Sequence, residues 1–322
     1  MQFFYLTLEQ MLSIFIMIMV GFTIRKKCNF PDHADSIIAN LETCVFVPAL
    51  FLHTQMTQCT VASFRENYTL MLYGLGVVAV AIALAYPLAR LFVPKREHTA
   101  AEDYQRGIYR YALTFGNYGY LGMFIVQEIW GAEMLSKYML FTALIGIVCN
   151  SWGLYILVPK EKNASLLQNL KTGLLKPPLI ALVIGTLLGL LNAPEFLPEF
   201  VLTAAESAGK CQGPIAMVLA GFIIGGYDFK KLITNKKVYV VSLLRLIAIP
   251  AAMMLVMRLL GISKEIMTLT LMAFAAPLGM NTIVYPAAYG GDTQTGASMT
   301  SISHILAIAT LPLMYLLFIV LW

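Results

Sequence analysis

Ala275-Ala276-Pro277-Leu278-Gly279-Met280-Asn281-Thr282 interrupts an apolar run over 265–289, and the fold turns on that interruption. Proline removes a backbone donor and clashes with the preceding turn, and glycine relaxes the chain, so a helix through this stretch unwinds near its middle. A second run, Thr114-Phe115-Gly116-Asn117-Tyr118-Gly119-Tyr120-Leu121-Gly122, sets three glycines and an asparagine inside 107–129. One such break is ordinary in a membrane helix, where small residues permit close packing and kinks. Two breaks at matching positions, each with an asparagine, point to a binding site. Unwound backbone in lipid is tolerated only where protein buries it or a wet cavity solvates it. The freed amides at the start of each second half-helix present positive dipole ends, and the side-chain amides of Asn117 and Asn281 can donate to a carboxylate. The candidate substrate-binding residues are Asn117, Gly119, Gly122, Pro277, Gly279, Asn281 and Thr282.

Outward from the breaks the chain stays apolar. Of 322 residues, 59% are hydrophobic and 12% charged, with a mean hydropathy of +0.76, against roughly one quarter charged in a soluble domain. No polar face is left with which a soluble fold could cover its cores. At about 20 apolar residues per crossing, ten spans follow: 4–24, 35–57, 67–93, 107–129, 134–158, 172–192, 199–226, 238–260, 265–289 and 294–321. The first is too long for the apolar core of a signal peptide and is expected to remain as a span.

Basic residues cluster after alternate spans: Arg25, Lys26 and Lys27; Arg90, Lys95, Arg96, Arg106 and Arg110; Lys160, Lys162, Lys171 and Lys176; Lys230, Lys231, Lys236 and Lys237. By the positive-inside rule the odd-numbered loops are cytoplasmic and both termini extracytoplasmic, in a plasma (inner) membrane. The net charge of +5 therefore reports topology, and nucleic acid is not an expected partner. Cys28, Cys44, Cys59, Cys149 and Cys211 form no C-x-x-C and no ligand set with histidine, so they predict neither disulfides nor a metal site and are expected to be small apolar fillers.

The halves resemble each other at a shift of about 160 to 168 positions. Val20-Gly21-Phe22 matches Leu188-Gly189-Leu190, Val47-Pro48-Ala49-Leu50 is echoed by Gly213-Pro214-Ile215-Ala216, and Ile129-Trp130-Gly131-Ala132-Glu133 matches Ala288-Tyr289-Gly290-Gly291-Asp292. A repeat with an odd number of spans inserts upside down relative to its partner, the usual ancestry of alternating-access carriers. The predicted fold class is an all-α integral membrane protein of ten helices in two inverted five-helix repeats, 1–158 and 172–322, joined by a cytoplasmic linker 159–171, with broken crossover helices in spans four and nine.

Charges inside spans are costly and should face protein or water. Glu206 and Lys210, four apart, share a helix face and can neutralise each other. Arg245 lacks a sequence-local acid and either faces the cavity as an anion-attracting charge or snorkels to the cytoplasmic rim. Glu42 and Glu128 are candidate proton carriers, and His304 is either a relay or a hydrogen-bonded packing residue. Proton coupling would use Glu42 or His304. Sodium coupling would use carbonyls around Gly116 and 275–277 with Thr114 or Thr282. No H-E-x-x-H, G-x-S-x-G or paired aspartates in a span suggest an intramembrane enzyme; a membrane-embedded sensor or a channel on the same fold is the rival to a carrier.

Several of these residues are similar to those of a known family. Pro277 to Thr310, with Asn281-Thr282, Tyr289-Gly290-Gly291-Asp292 and Ala297-Ser298-Met299-Thr300-Ser301, resembles the C-terminal signature of the auxin efflux carrier family. Phe115 to Gly122 and Val47-Pro48-Ala49-Leu50 resemble its fourth-span and second-span motifs. The resemblance covers essentially the whole chain and suits a bacterial-type member, with a fold related to sodium-bile acid symporters. It implies a scaffold of spans one, two, six and seven, and a transport domain of spans three to five and eight to ten that moves as an elevator. It further implies a carboxylate substrate, auxin-like or a dicarboxylate such as malate or malonate, held by Asn117 and Asn281. One departure stands out: relatives commonly carry proline just after the fourth-span glycine, and this chain has Met123. No cofactor is expected beyond coupling to Na+ or H+. The expected partners are the organic anion and the lipid bilayer, with a homodimer as one option for assembly.

Overall fold

Thr60, Thr99, Ser165, Ser263 and Asp292 each precede a helix and accept a hydrogen bond from a backbone N–H of its first turn, so the polar residues between apolar runs start helices. The computed structural model describes residues 2–31, 33–94, 99–159 and 165–321; Lys95, Arg96, Lys160, Lys162 and the 160–164 part of the expected linker lie outside the described residues. The helices are α1 (Gln2–Lys27), α2 (Ala34–Gln58), α3 (Val61–Phe92), α4 (Ala100–Thr114), α5 (Met123–Val148), α6 (Leu166–Leu174), α7 (Pro177–Leu190), α8 (Glu199–Gly225), α9 (Phe229–Thr234), α10 (Lys236–Leu259), α11 (Lys264–Phe274), α12 (Asn281–Tyr289) and α13 (Thr293–Val320). A π turn, Cys149–Gly153, carries α5 on to Leu157.

Among the described residues no strand occurs, and seven helical stretches are long and apolar enough to cross a bilayer, eight if α6 and α7, bent by 49°, form one span. The difference from ten lies at the breaks. The expected spans 107–129 and 134–158 lie in one 58-residue stretch, Ala100–Leu157, which opens at 115–117 and turns at Gly131 (φ 78°, ψ −171°). The expected span 265–289 is divided between α11, of 11 residues, and α12, of 9.

Polarity is arranged as lipid demands. Leu72, Leu91, Val183, Leu187 and Leu259 point outward, while Thr7, Gln55, Ser136 and Thr270 are buried. One buried polar pair ties α2 to α5: Gln55 Nε2 donates to Ser136 O at 3.2 Å and Ser136 Oγ donates back to Gln55 Oε1 at 2.9 Å. Small residues set two close helix pairs. A Cβ on Gly21 would run into Val218 O, and one on Gly221 into Ile18 O, so α1 lies backbone to backbone on α8. Likewise α7 lies on α2, where a Cβ on Gly185 would stand 2.9 Å from Leu52 O and one on Gly189 2.7 Å from Cys59 O.

Polar contacts gather the connections at two ends. At one, Lys26 Nζ donates to Tyr227 O (3.1 Å), Lys237 Nζ to Phe92 O (2.7 Å) and Asp292 N to Tyr104 Oη (2.9 Å). At the other, Lys137 pairs with Glu265 (3.1 Å) and Lys264 Nζ donates to Ile319 O (3.4 Å).

Candidate functional site

Phe115 leaves the helical region (φ −108°, ψ 131°) and Asn117 follows at φ −81°, ψ 49°, so α4 stops at Thr114 and helix resumes as a π turn, Tyr118–Gly122, leading into α5. The break forms with Met123 in the helix behind it and no proline. Gly116 lies in the crossing itself, where a Cβ would meet Arg245 Nη2 and stand 2.8 Å from Ala276 O. Opposite, 275–280 is unwound between α11 and α12, and a Cβ on Gly279 would stand 3.5 Å from Gly116 O. The two breaks are joined directly: Asn117 N donates to Pro277 O at 2.6 Å.

Three more buried polar contacts brace the breaks. Gly122 N donates to Asn117 O (2.9 Å), Leu278 N to Ser303 Oγ of α13 (2.9 Å) and Arg245 Nη1 to Phe274 O (2.8 Å).

A cavity of about 300 Å³ opens at this crossing. Its wall takes Asn40, Thr43 and Phe51 from α2, Asn117 to Tyr120 and Met123 from the first break, Thr142 and Asn150 from α5 and its continuation, Lys176 and Leu179 at the start of α7, and Gly279, Asn281 and Tyr285 from the second break and α12. It extends towards the end of the molecule where α2 and α7 begin. Asn117 is 2% exposed and its Nδ2 has no hydrogen-bond partner. A buried amide left without an acceptor is expensive, and beside a cavity it forms a socket for one. Asn281 Nδ2 donates to Tyr111 Oη at 3.0 Å and lies 3.7 Å from Cys149 Sγ. Tyr285 Oη donates to Asn150 Oδ1 at 2.8 Å. Lys176 is the one charged residue on the wall among the described residues, and no carboxylate faces it there.

The expected binding residues divide. Asn117, Gly119, Gly279 and Asn281 line the cavity, and Pro277 braces the crossing through its carbonyl. Gly122 is packed against Tyr138 and Met272, and Thr282 Oγ1 donates to Gly279 O at 3.1 Å, so both lie behind the wall. Thr114 is fully buried, its hydroxyl bound back to Arg110 O at 2.8 Å. Glu42 is fully buried with neither carboxyl oxygen hydrogen-bonded, and the Tyr120 phenol is near it. His304 Nδ1 donates to Thr300 O at 2.8 Å, leaving Nε2 without a partner.

Arg245 neither lines the cavity nor snorkels; its head is buried behind the crossing. Glu206 and Lys210 form an exposed pair at 2.6 Å. The cysteines are free, but Cys28 and Cys44 are exposed, and Cys149 bonds Tyr111 Oη at 3.1 Å, so these three are not apolar fillers.

Sequence reading missed Asn40, Thr43, Tyr118, Tyr120, Asn150 and Tyr285 as wall residues, because they converge from four separate elements. Lys176 carried one visible signal: it directly precedes Pro177-Pro178, which begins α7.

A multi-pass chain, helical throughout its described residues, with a cavity that mixes polar and apolar groups at the crossing of two interrupted helices has the build of a membrane transport protein. The chain belongs to the Membrane transport protein family, the auxin efflux carrier family, whose model matches residues 6–315. Relatives described as "Uncharacterized transporter YfdV" from Escherichia coli (strain K12) and Shigella flexneri are each 26% identical over 206 residues, 61% of this chain and 62% of the relative. The chain thus spans less than two thirds of the length of the curated relatives it matches.

Proposed function

We propose that the protein is a secondary carrier that moves a small organic anion, a carboxylate or dicarboxylate, across the plasma (inner) membrane by alternating access. The observation that carries this reading is the unpaired Asn117 amide, buried at the crossing of two broken helices beside a cavity whose one charge among the described residues is Lys176. An anion there would receive the Asn117 N–H and the Lys176 charge. If the amide of Asn281 is turned so that Tyr111 donates to its oxygen, its N–H groups face the anion as well.

Ten spans in two inverted repeats are supported by three pairs of facts. Gly131 and Gly290, matched in sequence, both take positive φ, 78° and 72°. Gly21 and Gly189, also matched, both seat a helix on its partner, α1 on α8 and α7 on α2. The connections after α1, α3, α8 and α12 meet at one end, and the segment after the Gly131 turn, the start of α11 and the end of α13 meet at the other. Both termini are then extracytoplasmic. The pairs α1–α8 and α2–α7 form the scaffold, and α3–α5 with α10–α13 form the moving domain. Coupling to a proton falls on Glu42 or His304.

Malonate uptake into proteoliposomes and malonate-induced thermal stabilisation test the reading together. Saturable uptake is expected. Asn117→Ala should raise the apparent Kd or KM roughly tenfold or more, since a hydrogen bond to a charged group contributes about 1.5–3 kcal/mol. Unsaturable flux would indicate a channel, stabilisation without flux a sensor, and neither response to any small carboxylate would overturn the proposal.

A further inference from the structure

The guanidinium of Arg245 is a buried charge that the binding site leaves unused. It comes from a π turn, Leu244–Ala248, inside α10, and the residue is 2% exposed. Nη1 donates at 2.8 Å to Phe274 O, the carbonyl of the last residue of α11, while Nε and Nη2 have no partner. Two further carbonyls surround the same spot. The point a Gly116 Cβ would occupy touches Arg245 Nη2 and lies 2.8 Å from Ala276 O and 3.2 Å from Ala273 O. Among the described residues, the ionisable groups that act on it are the phenols of Tyr111 and Tyr138, and none is a carboxylate.

The C-terminal end of a half-helix presents unpaired carbonyls and the negative end of a dipole. In carriers with interrupted helices, such ends coordinate the coupling cation. Here that position is filled by a cation tethered to α10, and a guanidinium keeps its charge throughout the working pH range.

We infer that Arg245 is a built-in substitute for a coupling sodium ion. It neutralises the carbonyl end of α11, puts positive charge beneath the anion socket at Asn117, and occupies the space and field that Na+ would need. Transport is therefore sodium-independent, and the energy for any uphill movement comes from protons or from the anion gradient. The inference rests on the carrier reading above.

Purified protein is first unfolded thermally in matched NaCl and KCl series with no substrate, a measurement that stands whether or not any carboxylate is carried. The wild type should give the same transition in both salts. Saturable stabilisation by sodium alone would overturn the inference without touching the carrier reading. In proteoliposomes, malonate uptake should be unchanged when potassium or choline replaces sodium, and uptake that needs sodium would overturn it equally.

Arg245→Met should lower uptake about tenfold or more, while Arg245→Lys, which keeps the charge, should restore most of it in sodium-free medium. Wild-type rates in Arg245→Met, or loss of uptake in the lysine variant as complete as in the methionine one, would remove the charge from the explanation. Should Arg245→Met fail to fold, the wild-type salt comparison and the lysine variant still decide.

Discussion

Lys176 has the simplest job on the cavity wall, and it is the residue most easily mistaken for something else. In the sequence it belongs to a basic loop and reads as a topology signal; in three dimensions it stands at the mouth of the cavity, at the start of α7. On the proposed reading one residue serves both purposes, because a charge that holds a loop in the cytoplasm also raises the anion concentration at an opening on that side. Lys176→Gln should therefore raise the KM for malonate by roughly threefold to tenfold at low salt. The penalty should shrink above about 0.1 M salt, where the Debye length falls to about 10 Å. Comparing KM in proteoliposomes at 20 and 300 mM potassium gluconate checks this, and a KM ratio that ignores ionic strength would count against an electrostatic role. Asn117 and Asn281 were legible beforehand as wall residues because each sits among glycines or beside a proline at one of two matching breaks. Thr43, Asn150 and Tyr285 were not, since a single polar residue in a span can satisfy itself, as Thr114 does with Arg110 O.

The interrupted helices were visible as elements, though not for identical reasons. Pro277 and Gly279 mark the second break by chemistry alone, and the unwound 275–280 follows. The first break has no proline, and its cause is tertiary: Gly116 is required because the opposing chain passes through the space of a side chain. Sequence pattern identifies the glycine but cannot tell a glycine that unwinds a helix from one that admits a neighbour. Gly116→Ala should accordingly destabilise the folded protein by about 1–3 kcal/mol through overpacking against Arg245 and Ala276, seen as a lower Tm in detergent. Gly119→Ala should leave Tm nearly unchanged, since its Cβ would stand in open space on the cavity wall. Equal losses in the two variants would mean that helix propensity, not the crossing, sets the cost. Element lengths give fewer spans than the ten expected, because α11 and α12 are each too short to qualify and the stretch containing α4 and α5 counts once.

Across the whole molecule, ten crossings differ from eight in the parity of the spans that separate two connections, and parity is measurable. If the chain crosses ten times, the connection after α1 and the connection between α7 and α8 lie on opposite faces of the membrane. The reason is physical: Arg25, Lys26 and Lys27 in the first hold that segment in the cytoplasm, whereas 192–199 carries no lysine or arginine. Cys28 is exposed in the first connection, and Glu195 in the second is open to substitution, its short turn Ala193–Glu195 containing no buried residue. A variant keeping only Cys28 should react with a membrane-impermeant maleimide in inside-out vesicles and not in intact cells. A variant with Glu195→Cys as its sole cysteine should show the reverse. Labelling of both from one face would require the five spans expected between them to become an even number, so that equivalent connections of the two halves share a face and the halves are not inverted copies. The two asparagines would then no longer approach the crossing from opposite sides of the bilayer, and alternating access built on that symmetry would lose its basis.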